Sequence, residues 1–297
     1  MMKNKAGEYT AQAIIGLILL LIAAVTLFPF LNTLAISFNA GYDTARGGIY
    51  IWPRVFTLEN FKVIFAFPNL YSSFLITILR TAIGSFVSLL VTGMFAYGLS
   101  KPNLKGKNFY MAMSILTMYF SGGLIPYYLL IRGMALTDNF LVYIIPYAVG
   151  VYNMIIMRTY FKSLPEAVEE SAKIDGAGLF TIFFKIVTPL SGPIIAVMLL
   201  FNAVFQWNSW FDANIFITKQ ELRPLQMILI RIIASSRADE AIANAGAGAS
   251  VLDAQKIISV RSITACTIIV TVVPIIIIYP FLQRYFAKGI MIGAVKG

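Results

Sequence analysis

Long apolar segments alternate with shorter polar ones along most of the chain. A helix needs about 20 residues to cross the hydrocarbon core of a bilayer, and six apolar segments are long enough. They lie at residues 11–38, 71–99, 109–131, 139–161, 184–211 and 262–284. The first could also be a signal peptide, but its length and the lack of a clear cleavage site favour a retained span. The pattern therefore predicts an all-α polytopic membrane protein with six transmembrane helices.

Composition supports a membrane protein and excludes several kinds of chemistry. Of the 297 residues, 59% are hydrophobic and only 12% are charged, which is outside the range of soluble domains. The chain contains no histidine and one cysteine, Cys266, so it has no His-based catalytic or metal site and no internal disulfide. The net charge of +10 fits basic cytoplasmic loops and anionic membrane lipid. We therefore expect no metal site and no nucleic-acid partner.

The distribution of lysine and arginine predicts the orientation. If the N-terminus is cytoplasmic, the inside segments hold 12 of the 23 basic residues in 61 positions, and the outside segments hold 10 in 89. This modest bias places both termini in the cytoplasm and makes residues 212–261 a long extracytoplasmic loop. The Ala/Gly-rich stretch 239–250 is expected to be flexible. Arg80 falls inside the second span, where snorkelling, a hidden loop contact or a role in the pore would explain it.

The most polar interruption inside the apolar pattern is "SLPEAVEESAKIDGAG", residues 163–178. Ser163 is positioned to cap a short helix, with Pro165 in its first turn, and Gly176 and Gly178 are positioned to end it. We expect a small-residue face that includes Ala172, with the glutamates on the opposite face. Such a helix is too short to be stable alone, so it packs either on its own membrane domain or in the cleft of a partner.

Polar and aromatic side chains follow one face of the fifth span. Asn202, Gln206 and Ser209 are spaced at i, i+4 and i+7, and Trp207 and Asn208 lie beside them. Amides and aromatic rings suit a sugar, because rings stack on its C–H faces and amides bind its hydroxyls. Interhelical hydrogen bonds and an interfacial aromatic belt are the alternative. Tyr119 and Asn153, with Ser121 and Tyr152, are weaker candidates for the same path.

The segment 170–189 resembles a known signature. Glu170, Ser171, Ala172, Gly176, Ile186 and Pro189 have the spacing of the motif E-A-A-x-x-x-G-x₉-I-x-L-P, with Ser171 and Thr188 as mild departures. That motif is typical of the permease subunits of bacterial ABC importers. The stretches "QWNSWF", residues 206–211, and "QRYFAKGIMIGAVKG", residues 283–297, resemble the maltose-type carbohydrate importers. The chain is therefore identified as similar to the permeases of binding-protein-dependent sugar importers.

This resemblance implies a single transmembrane permease domain over residues 1–297, with the type I ABC importer permease fold, in the bacterial cytoplasmic (inner) membrane. It implies that 163–178 is a coupling helix that docks on an ATPase, that the tail 285–297 reaches between two ATPase subunits, and that 239–250 reaches the binding protein. The implied partners are a second permease in a heterodimer, two ABC ATPases, an extracytoplasmic binding protein and an oligosaccharide. The implied ATPase-coupling residues are Glu166, Glu169, Glu170, Ala172, Asp175, Gly176 and Ala177, and the implied tail contacts are Lys288, Gly289 and Lys296.

ATP chemistry is expected in another chain. The fragment that comes nearest to a phosphate-binding P-loop, "LKGKNF" at residues 104–109, lacks the first glycine and the Ser or Thr after lysine. We therefore expect no catalytic residue and no cofactor here, with ATP and Mg²⁺ bound by the ATPase. A self-contained secondary transporter is the alternative, but every Asp and Glu falls in a predicted loop or at a span end. The absence of histidine and of paired acids in the spans disfavours a membrane enzyme.

Overall fold

The computed structural model describes residues 5–244 and 259–294, and most of them are helical. Within those ranges, an isolated antiparallel bridge joins Asn39 and Phe56. Short 3₁₀ turns lie at Phe140–Tyr143, Ile145–Tyr147 and Gln220–Leu222, and a π-helical turn lies at Phe183–Val187. In chain order the α-helices are α1 (Lys5–Ser37), α2 (Gly41–Thr44), α3 (Glu59–Phe65), α4 (Leu70–Ser100), α5 (Lys107–Tyr119), α6 (Leu124–Gly133), α7 (Val151–Lys162), α8 (Glu166–Ile174), α9 (Leu179–Ile182), α10 (Thr188–Leu190), α11 (Gly192–Asn208), α12 (Phe211–Phe216), α13 (Leu225–Asn244) and α14 (Val260–Ala294).

Among the described residues, three helical stretches are long and apolar enough to cross a membrane without a break. They are Tyr9–Ser37, Leu70–Ser100 and Val260–Ile278. The apolar segments expected as the third, fourth and fifth spans are bent pairs instead, which gives up to six spans if each pair crosses the membrane once. The bends are 117° between α5 and α6, 48° before α7, and 89° before α11.

Glycine and proline explain the position of these breaks. Gly123, with φ of +83°, separates α5 from α6, and Gly192 and Pro193 begin α11 after its bend. Pro146 lies in a 3₁₀ turn before α7. Pro274 and Pro280, in contrast, lie inside the uninterrupted helix α14, so proline alone does not break a span in this chain.

The described residues fall into two compact units. One comprises the described parts of Met1–Leu70 and Leu229–Val273, and the other those of Tyr71–Ile228 and Pro274–Gly297. In the first unit Ala35, Ile36, Ile49 and Ala265 form a small apolar core.

A polar cluster in the first unit fixes the segment that follows α1. Asn39 donates to the carboxylate of Asp43 at 3.0 Å, and Arg54 Nε donates to the same carboxylate oxygen at 3.0 Å. The hydrogen bond from Asn39, followed by the hydrogen bond and charge of Arg54, lowers the pKa of Asp43 below its ordinary 3.8. Asn60 donates to the carbonyl oxygens of Ser37 and Asn39, both at 2.9 Å.

In the second unit, hydroxyl groups of α4 bind backbone groups at the ends of other helices. Thr92 Oγ1 accepts from the N–H of Gly150, just before α7, at 3.0 Å. Thr77 Oγ1 accepts from the N–H of Leu225, at the start of α13, at 2.8 Å. Because no water is present in a bilayer core to satisfy such groups, α4 stabilises the helix ends around it.

Helix α13 corrects one expectation from composition. Residues 239–244 were expected in a flexible loop, but they continue α13 to Asn244. The sequence there, "EAIA" at 240–243, consists largely of good helix formers, which explains the extension. The rest of that stretch, 245–250, lies outside the described residues.

Candidate functional site

Helix α8 contains most of the residues that the sequence singled out. It begins at Glu166 after Pro165, which takes the N-cap position without a side-chain cap. The expected capping role of Ser163 is wrong, because Ser163 ends α7 and its hydroxyl donates to the carbonyl of Tyr160 at 2.7 Å. The preceding helix therefore uses the hydroxyl that the sequence assigned to α8.

The carboxyl end of α8 is as predicted. Gly176 has φ of +80°, its N–H donates to the carbonyl of Lys173 at 3.0 Å, and the N–H of Ala177 donates to the carbonyl of Ala172 at 2.9 Å. This pair of bonds is the Schellman arrangement, which favours glycine at the left-handed position. Asp175 precedes the turn and is exposed.

The two faces of α8 differ from the expectation. Ala172 is buried, as expected for the small-residue face. Glu169, three residues earlier and therefore on the same face, is partly buried, so the expectation that the glutamates lie opposite Ala172 is wrong for this one. Glu166 and Glu170 are exposed, and Ile174 is 87% exposed. The exposed surface of α8 thus combines two carboxylates with an unpartnered apolar side chain.

Glu169 binds the carboxyl end of α4. Its carboxylate forms an ion pair with Lys101 and accepts from the hydroxyl of Tyr97 at 3.3 Å. The Lys101 ammonium also lies 4.0 Å from the centre of the Tyr97 ring, a cation–π contact. We call these three residues the Lys101 cluster. The cluster lines a cavity of about 1020 Å³ between α8, the segment 101–107 and the residues around Phe180.

A second charged group lies ten residues after the start of α4. Arg80 is fully buried and forms a bidentate pair with Asp212, with contacts of 2.6 and 3.3 Å. It also donates twice to the amide oxygen of Gln206, at 3.1 and 3.2 Å, and once to the carbonyl of Ser209 at 3.1 Å. The guanidinium lies 4.2 Å from the centre of the Tyr143 ring. We call Arg80, Tyr143, Gln206 and Asp212 the Arg80 cluster. All five N–H groups of Arg80 are used, so these contacts explain why a full charge lies inside the span.

The candidate sugar-path residues fall into a buried group and an exposed group. Gln206 is enclosed, since its amide nitrogen also donates to the carbonyl of Tyr143 at 2.9 Å. Trp207 is buried, with its ring edge-on to that of Phe74. Asn202 accepts from Asn153 at 3.1 Å, and its own amide nitrogen is buried without a hydrogen-bond partner among the described residues. Asn208 and Tyr119 are exposed.

The tail is only partly described. The backbone of Lys288 and Gly289 is part of helix α14, whereas Lys296 lies outside the described residues. Across the described ranges 5–244 and 259–294, no three His, Cys, Asp or Glu side chains are grouped in a way that could hold a metal ion.

Sequence reasoning missed the partners of Arg80, on α4, and of Lys101, which directly follows α4. Asp212 was expected in a loop, and Lys101 was only one of several basic residues counted for orientation. A full charge inside an apolar span requires a partner, so Arg80 was itself the signal for a buried acid. No comparable signal indicated Lys101, because a lysine after a span is common.

Comparison with known proteins gives the same assignment as the motif. The chain is 37% identical to protein LplC of Bacillus subtilis over 93% of this chain and 91% of that protein. It is 36% identical to the polygalacturonan/rhamnogalacturonan transport system permease protein YtcP of the same organism, over 94% and 96%. The chain belongs to the carbohydrate ABC transporter permeases. No protein-family model matches this permease.

A solved structure shares the fold of the permease. It is a chain of a bacterial ABC transporter involved in the import of the acidic polysaccharide alginate, with a TM-score of 0.82 and 27% identity. The likeness covers 96% of the permease and 99% of that chain. The all-helical fold is therefore that of an ABC importer permease.

Proposed function

We propose that this chain is one permease subunit of an ATP-driven importer for oligosaccharides in the bacterial cytoplasmic membrane. The observation that supports it most is the sequence similarity to permeases over nearly the whole chain. The bent pairs each cross the membrane once, giving six spans, and both termini are cytoplasmic. In this orientation the Lys101 cluster and α8 face the cytoplasm, and the Arg80 cluster lies toward the outside.

In the proposed complex, α8 is the surface that binds the ATPase. Glu170 pairs with a basic residue of the ATPase, and Glu166 and Asp175 add to the negative charge of the same exposed surface. The apolar side chain of Ile174, 87% exposed, lies in the ATPase groove. The turn at Gly176 and Ala177 and the buried Ala172 fix the helix on the permease. Lys288, Gly289 and Lys296 extend this contact along the tail.

The other proposed partners are a second, different permease and an extracytoplasmic binding protein, with ATP and Mg²⁺ held by two ATPase chains. When the ATPases close on ATP, the coupling helices move together and the pore opens toward the binding protein, and hydrolysis reverses the change. In this mechanism the permease does not hydrolyse ATP, and it converts the closing of the ATPases into the opening of the pore.

For the sugar, we propose that Asn202 and Asn153 line the path, with Asn208 and Tyr119 nearer its exposed parts. The support is the amide nitrogen of Asn202, which is buried without a partner among the described residues. A buried donor without a partner is unfavourable, and a sugar hydroxyl would satisfy it. Gln206 and Trp207 act through the packing around the path, since Gln206 binds Arg80 and Tyr143.

A self-contained secondary transporter remains the second candidate, because Asp212 is a buried carboxylate next to the spans. Both oxygens of Asp212 bind Arg80, and one also accepts from the N–H of Ala213 at 2.8 Å. A carboxylate used in this way is a structural partner of Arg80 and offers no open site for a coupling ion. The ATP-driven mechanism is therefore favoured.

The proposal is tested by copurification of the permease with the ABC ATPase from the same organism. The wild-type permease is expected to copurify with it, and Glu170→Arg is expected to lose most of this association by reversing a docking charge. Glu221→Arg, which reverses an exposed glutamate in the loop after the fifth span, is the matched control and should keep it. Equal copurification of Glu170→Arg and wild type would contradict the docking role of α8.

A further inference from the structure

The carboxyl end of α4 binds three other elements of the second unit. Arg158 of α7 donates to the carbonyl of Leu99 at 3.0 Å, and Lys107 of α5 donates to the carbonyl of Lys101 at 3.1 Å. Both cations lie where the last carbonyls of a helix lack intrahelical partners and the helix dipole is negative. Glu169 of α8 then pairs with Lys101. Thus α4 ends in a set of charged contacts rather than in a free turn.

The contact with α8 is of a different kind from the other two. Arg158 and Lys107 bind backbone carbonyls, whereas Glu169 binds only side chains, those of Lys101 and Tyr97. Tyr97 is packed below them, with its ring centre 5.3 Å from that of Phe183. The side chain of Glu169 is 14% exposed and that of Lys101 is 26% exposed, so the pair is shielded but not sealed. A shielded pair on a packed ring gives α8 a fixed position on α4.

Helix α4 continues from this contact to the Arg80 cluster. Lys101 and Arg80 are 21 positions apart in the sequence, which corresponds to about 31 Å along a helix. Leu70–Ser100 is unbroken, unlike the bent pairs around it. An unbroken helix moves nearly as a rigid rod, so a displacement of the carboxyl end of α4 also displaces the Arg80 cluster.

We propose that Lys101, Glu169 and Tyr97 are positioning residues that make α8 and α4 move together. This rests on the proposed function, since the ATPase that α8 binds would supply the movement. Glu169 accordingly acts inside the permease and does not contact the ATPase. The ion pair transmits the movement of α8 to α4, and α4 transmits it to the Arg80 cluster.

The first test uses the permease alone in a lipid nanodisc. Hydrogen exchange of the α8 amides is expected to become roughly fivefold faster in both Glu169→Gln and Lys101→Met, by loss of the same contact. The charge swap Lys101→Glu with Glu169→Lys should restore slow exchange. Lys105→Met, an exposed lysine on the same segment, is the matched control and should not change it. Unchanged exchange in both single variants would overturn the proposal.

The second test measures movement in the complex with the ATPase. Spin labels replace Leu75 on α4 and Val168 on α8, which are exposed by 56% and 38%; Val168 lies away from the proposed docking residues of α8. The native Cys266 is buried and is replaced by alanine. The distance between the labels is measured before and after addition of MgATP and vanadate. In the wild type it should stay constant, in Glu169→Gln it should change, and the charge swap should restore constancy.

The outcomes separate this proposal from the proposed function. If the ATPase binds and the distance changes in the wild type, or stays constant in Glu169→Gln, the transmitting role is wrong. If Glu169→Gln loses the ATPase altogether, Glu169 contacts the ATPase and the proposal is wrong in that respect. If the wild-type permease binds no ATPase, the proposed function is wrong and the transmitting role fails with it.

Discussion

The Arg80 cluster and the Lys101 cluster are both ion pairs of α4, but their environments are opposite. The side chains of Arg80 and Asp212 are 0% and 1% exposed, whereas those of Lys101 and Glu169 are 26% and 14% exposed. Arg80 uses every donor it has, while Lys101 has one carboxylate and one ring. The difference indicates that the first pair contributes much more to the stability of the fold than the second, which is partly open to solvent.

The largest effect is expected at the sealed pair. Asp212→Ala should destabilise the protein by about 3–5 kcal/mol, because it leaves the Arg80 guanidinium buried without its counter-ion. Thermal unfolding in detergent, followed by size-exclusion chromatography, measures the loss of folded protein. The double variant Arg80→Met with Asp212→Leu should recover much of the stability. If Asp212→Ala unfolds at the wild-type temperature, the two clusters do not differ as described.

A smaller effect is expected from the packing against Gln206. A Cβ on Gly84 would lie 2.6 Å from the Gln206 amide nitrogen, so Gly84→Ala must displace this residue of the Arg80 cluster. The expected cost is about 1–3 kcal/mol in the free energy of unfolding. Gly98→Ala is the matched control on the same helix, since nothing lies within 4 Å of its added Cβ. Equal destabilisation by both substitutions would show that the contact with Gln206 has no special role.

At the Lys101 cluster the effect on stability should be smaller still. Lys101→Met or Glu169→Gln is expected to cost about 1 kcal/mol or less, because the pair is partly exposed to solvent. The cost should fall further in high salt, whereas that of Asp212→Ala should not, since buried pairs are poorly screened. Denaturant unfolding at low and high salt measures both. The same salt dependence at both clusters would contradict the comparison.

The smallest effect concerns a third carboxylate, Asp43, which lies in the polar segment after α1. Its folded pKa is below the ordinary 3.8, chiefly through the hydrogen bond from Asn39 and then through Arg54. The stabilisation by Asp43 is therefore present above the unfolded pKa and is lost as pH falls through the lower folded pKa. The difference in unfolding temperature between wild type and Asp43→Asn should shrink over that interval. A difference that is independent of pH would contradict this role.

Much of the fold follows from the sequence, because apolar segments of spanning length leave few alternatives to helices. The bounds of α4 and the start of α14 were predicted within a few residues, although α14 continues ten residues beyond the predicted end of the last span, and Gly176 was correctly placed at the end of α8. The size of the bends in three spans did not follow from the sequence, since a proline such as Pro274 can lie inside an unbroken helix. Pattern alone gives no measure of how neighbouring hydroxyls, such as that of Thr92, stabilise a break.

The candidate site was harder to predict for a related reason. Helical periodicity identified α8 and its small face, but the residue that Glu169 contacts is a lysine 68 positions earlier in the chain. Likewise, the polar face of the fifth span was found, but Gln206 belongs to the Arg80 cluster through a contact 126 positions away. Sequence spacing predicts which residues share a helix face, and only the packing shows what that face contacts.

Transport by the purified protein in liposomes tests the central claim most directly. The permease is reconstituted with its binding protein, with or without the second permease and the ATPases, and given a panel of neutral and acidic oligosaccharides. We predict uptake of at least one of these sugars only when all components and MgATP are present. Uptake by this chain without an ATPase, driven by an ion gradient, would contradict the account.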